Sequence, residues 1–238
     1  MGIAKKIWKS KWMLRNIFQS IYFNFHYLPF KQAVKLPIIL YKPTFLKLKG
    51  KLVICGGVKT GMIIMGKFTS VHHSNNGIKL FIDGNITFGG KCNIGNDSYL
   101  AIKKTGNLKL GDNFQATAGL KIECAWNTTF GSNVLVGFDC WFMDNDMHQL
   151  SVLPGRRLPK PYGSIVIGEG CWLAFRNVIL KNTFLPAKCV VASNSLLNKE
   201  YKCDNCSLLA GNPAIIIKEG VYLDKNNHVI NFKEECYD

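Results

Sequence analysis

Residues 167–196 read IGEGCW LAFRNV ILKNTF LPAKCV VASNSL, and Leu197 opens the next unit. An aliphatic side chain therefore returns at every sixth position, at Ile167, Leu173, Ile179, Leu185, Val191 and Leu197. A period of six matches neither the 3.6 of a helix nor the two of a simple strand; it is the mark of hexapeptide repeats that wind into a parallel β-helix. Each hexapeptide supplies one short flat strand and one corner, three make a triangular coil, and the sixth-place aliphatics stack as a column along the axis. Small residues such as Gly168, Ala174 and Ala192 follow the aliphatic, while Cys171, Thr183, Cys189 and Ser195 stand four places after it, where a narrow interior admits little bulk. An ordinary alternating strand region would not hold one register through six units.

Working outward, the same spacing joins Ile82, Phe88, Ile94 and Leu100, and in shifted blocks Leu110, Ala116, Ile122, then Phe130, Val136 and Phe142. It extends backward to Leu46, Leu52, Val58 and Ile64, with Ser70 and Asn76 off the pattern. The breaks require insertions, which leave a solenoid as loops without disturbing the stack. The largest covers about residues 143–164, MDNDMHQLSVLPGRRLPKPYGS, whose Pro, Gly and charges cannot be buried at a corner and should project. The expected fold is all-β: a parallel β-helix over residues 46–202, preceded by a basic aromatic-rich helical segment (1–45) and followed by a C-terminal segment (203–238). In that tail Lys225, Asn226 and Asn227 look like a turn between two strands.

A chain with 47% hydrophobic residues is not disordered. Its net charge of +15 is unevenly distributed: residues 1–82 hold fourteen Lys or Arg and no acid, and residues 83–238 hold sixteen basic and fifteen acidic residues. Basic excess points to phosphates, an anionic membrane surface or nucleic acid, but the basic third matches no nucleic-acid recognition motif. Residues 3–28 read as a helix with an apolar stripe at Leu14, Ile17, Phe18, Ile21, Tyr22 and Phe25, ended by Pro29. Two readings stand for it: packing on its own domain or a partner subunit, or lying on an anionic membrane. No secretory signal and no apolar run of spanning length is visible. The nine cysteines form no disulfide framework, and Cys92, Cys140, Cys171 and Cys189 fall at the inward fourth place, as small core residues of a reducing compartment. Cys203 and Cys206 make a lone CxxC, a weak zinc or redox signal.

Three signatures in order carry a family resemblance: WFMDNDMH at 141–148, the repeat block at 167–199, and LAGNPA at 209–214. Together they resemble the hexapeptide-repeat acyltransferases with a left-handed parallel β-helix, nearest the bacterial O-acetyltransferases of sugars and surface polysaccharides. The chemistry asks for a base near neutrality, because a sugar hydroxyl attacks a thioester only as its proton leaves. Of the five histidines (26, 72, 73, 148 and 228), only His148 stands beside the repeats at the mouth of a projecting loop, and the resemblance makes it the general base. Asp146 is expected to orient the imidazole, with Asp144 as the alternative carboxylate and an acceptor contact; Trp141 is expected to wall the acceptor pocket. The resemblance implies acetyl-CoA as co-substrate, without a metal, held by Trp172, Ala174, Ala192, Ser193, Lys199 and Lys218 in a groove between subunits. It also implies a homotrimer and a saccharide acceptor, including a lipid-linked one, at the inner face of the cell membrane or in the cytoplasm. Phe175, Arg176 and the run Val191 to Asn194 depart from the family's small and glycine-containing positions. Two other readings are a non-catalytic scaffold that binds glycan or membrane, and a zinc carbonic-anhydrase-like enzyme, which lacks partner histidines at ligand spacing.

Overall fold

In a computed structural model, residues 16–158 and 160–224 are described, and the Lys225–Asn227 turn lies outside them. Parallel strands stack into three faces of a triangular prism, the parallel β-helix that the hexapeptide spacing implies, for which the family resemblance implies left-handed coils. The first face runs from Ile38–Leu40 to Ser207–Gly211, the second from Pro43–Leu48 to Leu196–Leu197, and the third from Lys51–Ile54 to Phe184–Leu185. Register is regular in the centre: Lys121 pairs with Trp141, and Trp141 with Val178.

The inward column is the one the period marks. Ile82, Phe88, Ile94, Leu100, Leu110, Ile122, Val136, Phe142, Leu173, Ile179, Leu185, Val191 and Leu197 are fully buried. Phe114, Phe130 and Phe142 stack edge to face, each neighbouring pair with centroids 4.9 Å apart. Burying one such side chain contributes about 1.5–3 kcal/mol.

The corners explain the fourth-place residues more fully than size does. Thr183 Oγ1, Ser195 Oγ and Ser207 Oγ donate to the carbonyls of Leu180, Ala192 and Asp204 at 2.7, 2.8 and 2.8 Å, three residues back in each case. Asn177, which carries more bulk than its place suggests, does the same to Ala174 at 3.0 Å and accepts from the Ser195 amide at 2.8 Å, tying two coils together. Each corner also passes through a left-handed backbone residue, with φ of 71° at Gly170, 59° at Arg176, 65° at Asn182, 58° at Lys188 and 59° at Asn194.

Cys92, Cys140, Cys171 and Cys189 are buried as their places require. Burial pushes the Cys140 thiol up to about 12 and raises those of Cys92 and Cys124 further. In the native protein iodoacetamide should therefore alkylate exposed Cys55 and spare Cys92, Cys124 and Cys140, as read by peptide mass mapping. Rapid native labelling of Cys140 would contradict this packing.

Three features differ from the sequence reading. Leu46 is exposed because the register shift between Phe45 and Lys47 leaves it out of the ladder, and Ile64 is only half-buried because Met65, not Ile64, pairs with the inward Ile94. The stack also continues past Lys199: Ser207–Gly211 joins the first face in parallel, and Ala214–Glu219 folds back antiparallel as its last strand.

The third difference is the helix over residues 16–27, which presents its polar side to the solenoid. Asn16 Oδ1, Ser20 Oγ and Asn24 Oδ1, four residues apart on one face, accept from the amides of Lys42, Leu40 and Ile38 at 3.0, 2.9 and 3.1 Å. Asn24 Nδ2 returns a bond to the Ile38 carbonyl at 2.7 Å. Ile38–Leu40 is the end strand of its sheet, and these side chains close an edge that would otherwise expose unpaired backbone groups. Phe23 packs beneath them and is fully buried. No helix among the described residues is long and apolar enough to cross a membrane.

Candidate active site

His148 leaves the solenoid where the second face turns into the third, between Trp141–Met143 and Ile165–Ile167. The insertion projects as a hairpin in which Ser151–Val152 pairs antiparallel with Arg156–Arg157, and its base is closed by the bridge Asn145–Tyr162. His148 is exposed, forms no hydrogen bond or ion pair among the described residues, and opens on a cleft of about 360 Å³. Trp126 and Tyr162 wall this cleft, their rings 4.7 Å apart at 41°, and Thr105, Asn145 and Gln149 add polar groups. Two aromatic planes with amide and hydroxyl groups beside a free imidazole can hold a sugar ring and take a proton from it.

Asp144 is no contact for an acceptor. It is fully buried, and its carboxylate accepts from the amides of Ala125 and Trp126 at 2.7 and 2.9 Å, Thr128 Oγ1 at 3.3 Å and Asn145 Nδ2 at 3.1 Å. Its work is to fix the corner that carries Trp126 and the root of the loop. Asp146 does not orient His148 either: it forms an ion pair with Lys181, which also donates to the Lys160 carbonyl at 3.4 Å. The Asp146 amide donates to the Pro161 carbonyl at 2.7 Å, so this residue clamps the two legs of the hairpin to the next coil.

Trp141 lies away from this cleft, on the outer surface of the second face. It lines a separate groove of about 680 Å³ with Lys121, Asp139, Arg176, Val178, Asn194 and Asn212, and Lys121 Nζ sits 5.2 Å from its ring centre. Lys79, Tyr99, Lys121 and Trp141 occupy successive register positions, so cations and aromatic rings alternate up this surface.

Of the expected donor residues, Trp172, Ala174, Ala192, Ser193 and Lys218 lie on the first face or its corner with the second, whereas Lys199 follows Leu196–Leu197 and lies where the second face turns into the third, its carbonyl accepting from the Phe184 amide at 3.2 Å. Trp172 is half-buried on the outer surface. The Ala174 and Ala192 amides are already used inside the coil, donating to Val191 and Leu209 carbonyls at 2.9 and 2.8 Å. The amides without a hydrogen bond among the described residues are those of Phe175 and Ser193, one coil apart at that corner. Small Ala174 and Ala192 flank them, so an extended amide-bearing arm can approach both N–H groups. Lys199 is exposed with its Nζ 5.5 Å from the Tyr201 ring centre, and Lys218 is exposed in the last strand, beside Leu208.

Two other described histidines, His73 and His26, have structural duties. His73 Nε2 donates to Asp139 Oδ1 at 3.0 Å, its Nδ1 faces Ser70 Oγ at 3.3 Å, and its ring stacks on Phe138. That set ties the 68–77 bulge to the solenoid and leaves neither nitrogen free. His26 Nε2 donates to the Leu48 carbonyl at 2.9 Å.

Trp126 and Tyr162 were missed in the sequence. The usable signal was the run CAWN at 124–127, where a tryptophan at a corner has no core to enter.

No family model matches the sequence, and no curated protein matches it closely. Among solved structures the chain is similar to the polySia-specific acetyltransferase NeuO, with 17% identity over 79% of this chain and 91% of that one and a TM-score of 0.45. It is similar also to the polysialic acid O-acetyltransferase OatWY, with 21% identity, coverage of 79% and 77%, and a TM-score of 0.34. A third is the hexapeptide-repeat acetyltransferase VCA0836 from Vibrio cholerae O1 biovar eltor, complexed with acetyl coenzyme A, with 16% identity, coverage of 86% and 85%, and a TM-score of 0.38.

Proposed function

We propose that the chain is an acetyl-CoA-dependent O-acetyltransferase that esterifies a hydroxyl of a sugar in a surface polysaccharide or glycoconjugate. The observation that carries this reading is His148, unbonded and exposed at the rim of a cleft walled by Trp126 and Tyr162. The order of the three sequence signatures, with His148 in the first, supports the same reaction. His148 takes the proton of the attacking hydroxyl and returns it to the departing thiolate, and the hydroxyl adds directly to the thioester carbonyl. The thiols at the fourth places of the repeats, Cys92, Cys140, Cys171 and Cys189, are buried, which favours direct transfer over an acyl-enzyme.

The donor's pantetheine arm is proposed to lie at the corner of the first and second faces, with its amide carbonyls on the Phe175 and Ser193 N–H groups and its phosphates toward Lys218 on the last strand of the first face. That corner and the loop of His148 lie on opposite edges of the second face, whose strands of three or four residues there are roughly 10–13 Å long. A thioester at one edge therefore meets the His148 of a neighbouring copy more readily than its own, which favours a homotrimer with shared sites. Incubation with acetyl-CoA and a panel of saccharides should yield an acetyl ester on a hydroxyl, identified by mass spectrometry and alkaline lability. An alkali-stable amide on an amino sugar, or no product across acidic and neutral glycans, would overturn the reading.

A further inference from the structure

The N-terminal helix is amphipathic in an inverted sense. Asn16, Ser20 and Asn24 are spent on the end strand, and the apolar row Ile17, Phe18, Tyr22 and Phe25 faces outward. The short helix Phe30–Ala33 continues this surface: Phe30 meets Phe25 edge to face with centroids 5.9 Å apart, and Val34 follows it. Phe18 and Phe30 are 66% and 73% exposed, far more than an aromatic side chain needs for packing on its own domain. Single exposed apolar residues are ordinary, but this is a contiguous aromatic patch at one end of the prism.

The charge around the patch selects what covers it. Between residues 16 and 82 there are nine lysines and no acid, and Lys31 and Lys35 lie on the short helix and just after it. A second copy of the same chain would bring like charge onto like charge. An anionic bilayer brings the opposite charge and an apolar interior into which aromatic rings can enter at the headgroup level.

We propose that the outward face of the N-terminal helices, Ile17, Phe18, Tyr22, Phe25, Phe30 and Val34, is a docking surface for an anionic phospholipid membrane. The solenoid then stands on the membrane by its first coil, held by inserted rings and by lysines at the lipid phosphates. Peripheral attachment of this kind combines a modest apolar insertion with charge attraction, and each weakens the bound state when removed. The inference is independent of the acyl-transfer reading, because the patch lies on the helices that cap the end strand, apart from His148 and the cleft walled by Trp126 and Tyr162.

The test is co-sedimentation of the full chain with vesicles of phosphatidylglycerol mixed with phosphatidylcholine, against vesicles of phosphatidylcholine alone. The wild-type chain should bind the anionic vesicles, bind the neutral ones far less, and be released as salt rises. The double variant Phe18→Ser/Phe25→Ser removes two exposed rings with no role in the edge cap, so its circular dichroism and its mass by light scattering should match the wild type. Its vesicle binding should fall by about tenfold or more. Lys31→Glu/Lys35→Glu should weaken binding comparably at low salt and have little effect at high salt. Wild-type chain left in the supernatant of anionic vesicles would overturn the proposal. So would undiminished binding by the phenylalanine variant, or a change in its light-scattering mass, which would make the patch a contact between copies.

Discussion

Replacing His148 with alanine is expected to lower kcat by about 10²–10⁴, the range over which a positioned general base contributes. The KM for the acyl donor should stay within a few-fold, because the proposed donor groove lies at the corner of Phe175 and Ser193 and not at the loop. His148→Asn should behave alike, since an amide can donate a hydrogen bond yet cannot accept the proton. Asp146→Asn separates two accounts of the loop. A carboxylate that steered the imidazole would cost nearly as much as the histidine itself, whereas the ion pair with Lys181 makes Asp146 a clamp whose loss is milder. Steady-state kinetics of the three variants decide the matter: equal rates for His148→Ala and wild type would remove this residue from the chemistry.

The second large effect falls on stability. Asp144→Ala leaves two backbone amides, the Thr128 hydroxyl and the Asn145 amide without their common acceptor inside a fully buried corner. Leaving a buried donor without its acceptor costs about 1–3 kcal/mol, and four donors share this one carboxylate, so the loss should exceed that of most point substitutions. Chemical denaturation should show that loss. Because the same carboxylate fixes Trp126 and the root of the hairpin, proteolysis within residues 147–158 should also accelerate below the unfolding transition. A loss below about 1 kcal/mol, the range of a surface substitution, would contradict the buried role.

Much of this fold was legible because a narrow prism enforces its period. Any bulky outward-for-inward exchange at Leu173, Ile179 or Leu185 would collide with the coils above and below, so the sequence there can only be read one way. Legibility failed where an extra residue slips in: Leu46 is itself the bulged residue, and the inward step from Val58 to Met65 is seven residues, so a fixed count of six marks Ile64 instead. On the N-terminal helix the apolar stripe was legible, but the two readings, packing on its own domain or a partner and lying on a membrane, left open which way it faces. Hydrophobic periodicity assumes that apolar residues face the core, yet the end strand needs acceptors for its amides, and Asn16, Ser20 and Asn24 supply them. At the site, His148 was visible from its motif. The duties of Asp144 and Asp146 were not, because a carboxylate beside a histidine in sequence reads as a partner whatever three-dimensional donors surround it. Trp126 was hidden because it reaches the cleft from the preceding coil, about twenty residues before the loop it joins.

The central claim, direct acyl transfer from acetyl-CoA to a saccharide hydroxyl through His148, is tested most directly by a single-turnover measurement. Protein in excess over acetyl-CoA is mixed with and without the saccharide, and free thiol and saccharide ester are quantified together. The account expects negligible thiol release from protein and donor alone, and, once saccharide is added, thiol and ester appearing at equal rates and in equal amounts. Thiol released without saccharide and matched by acyl group on the chain would contradict it.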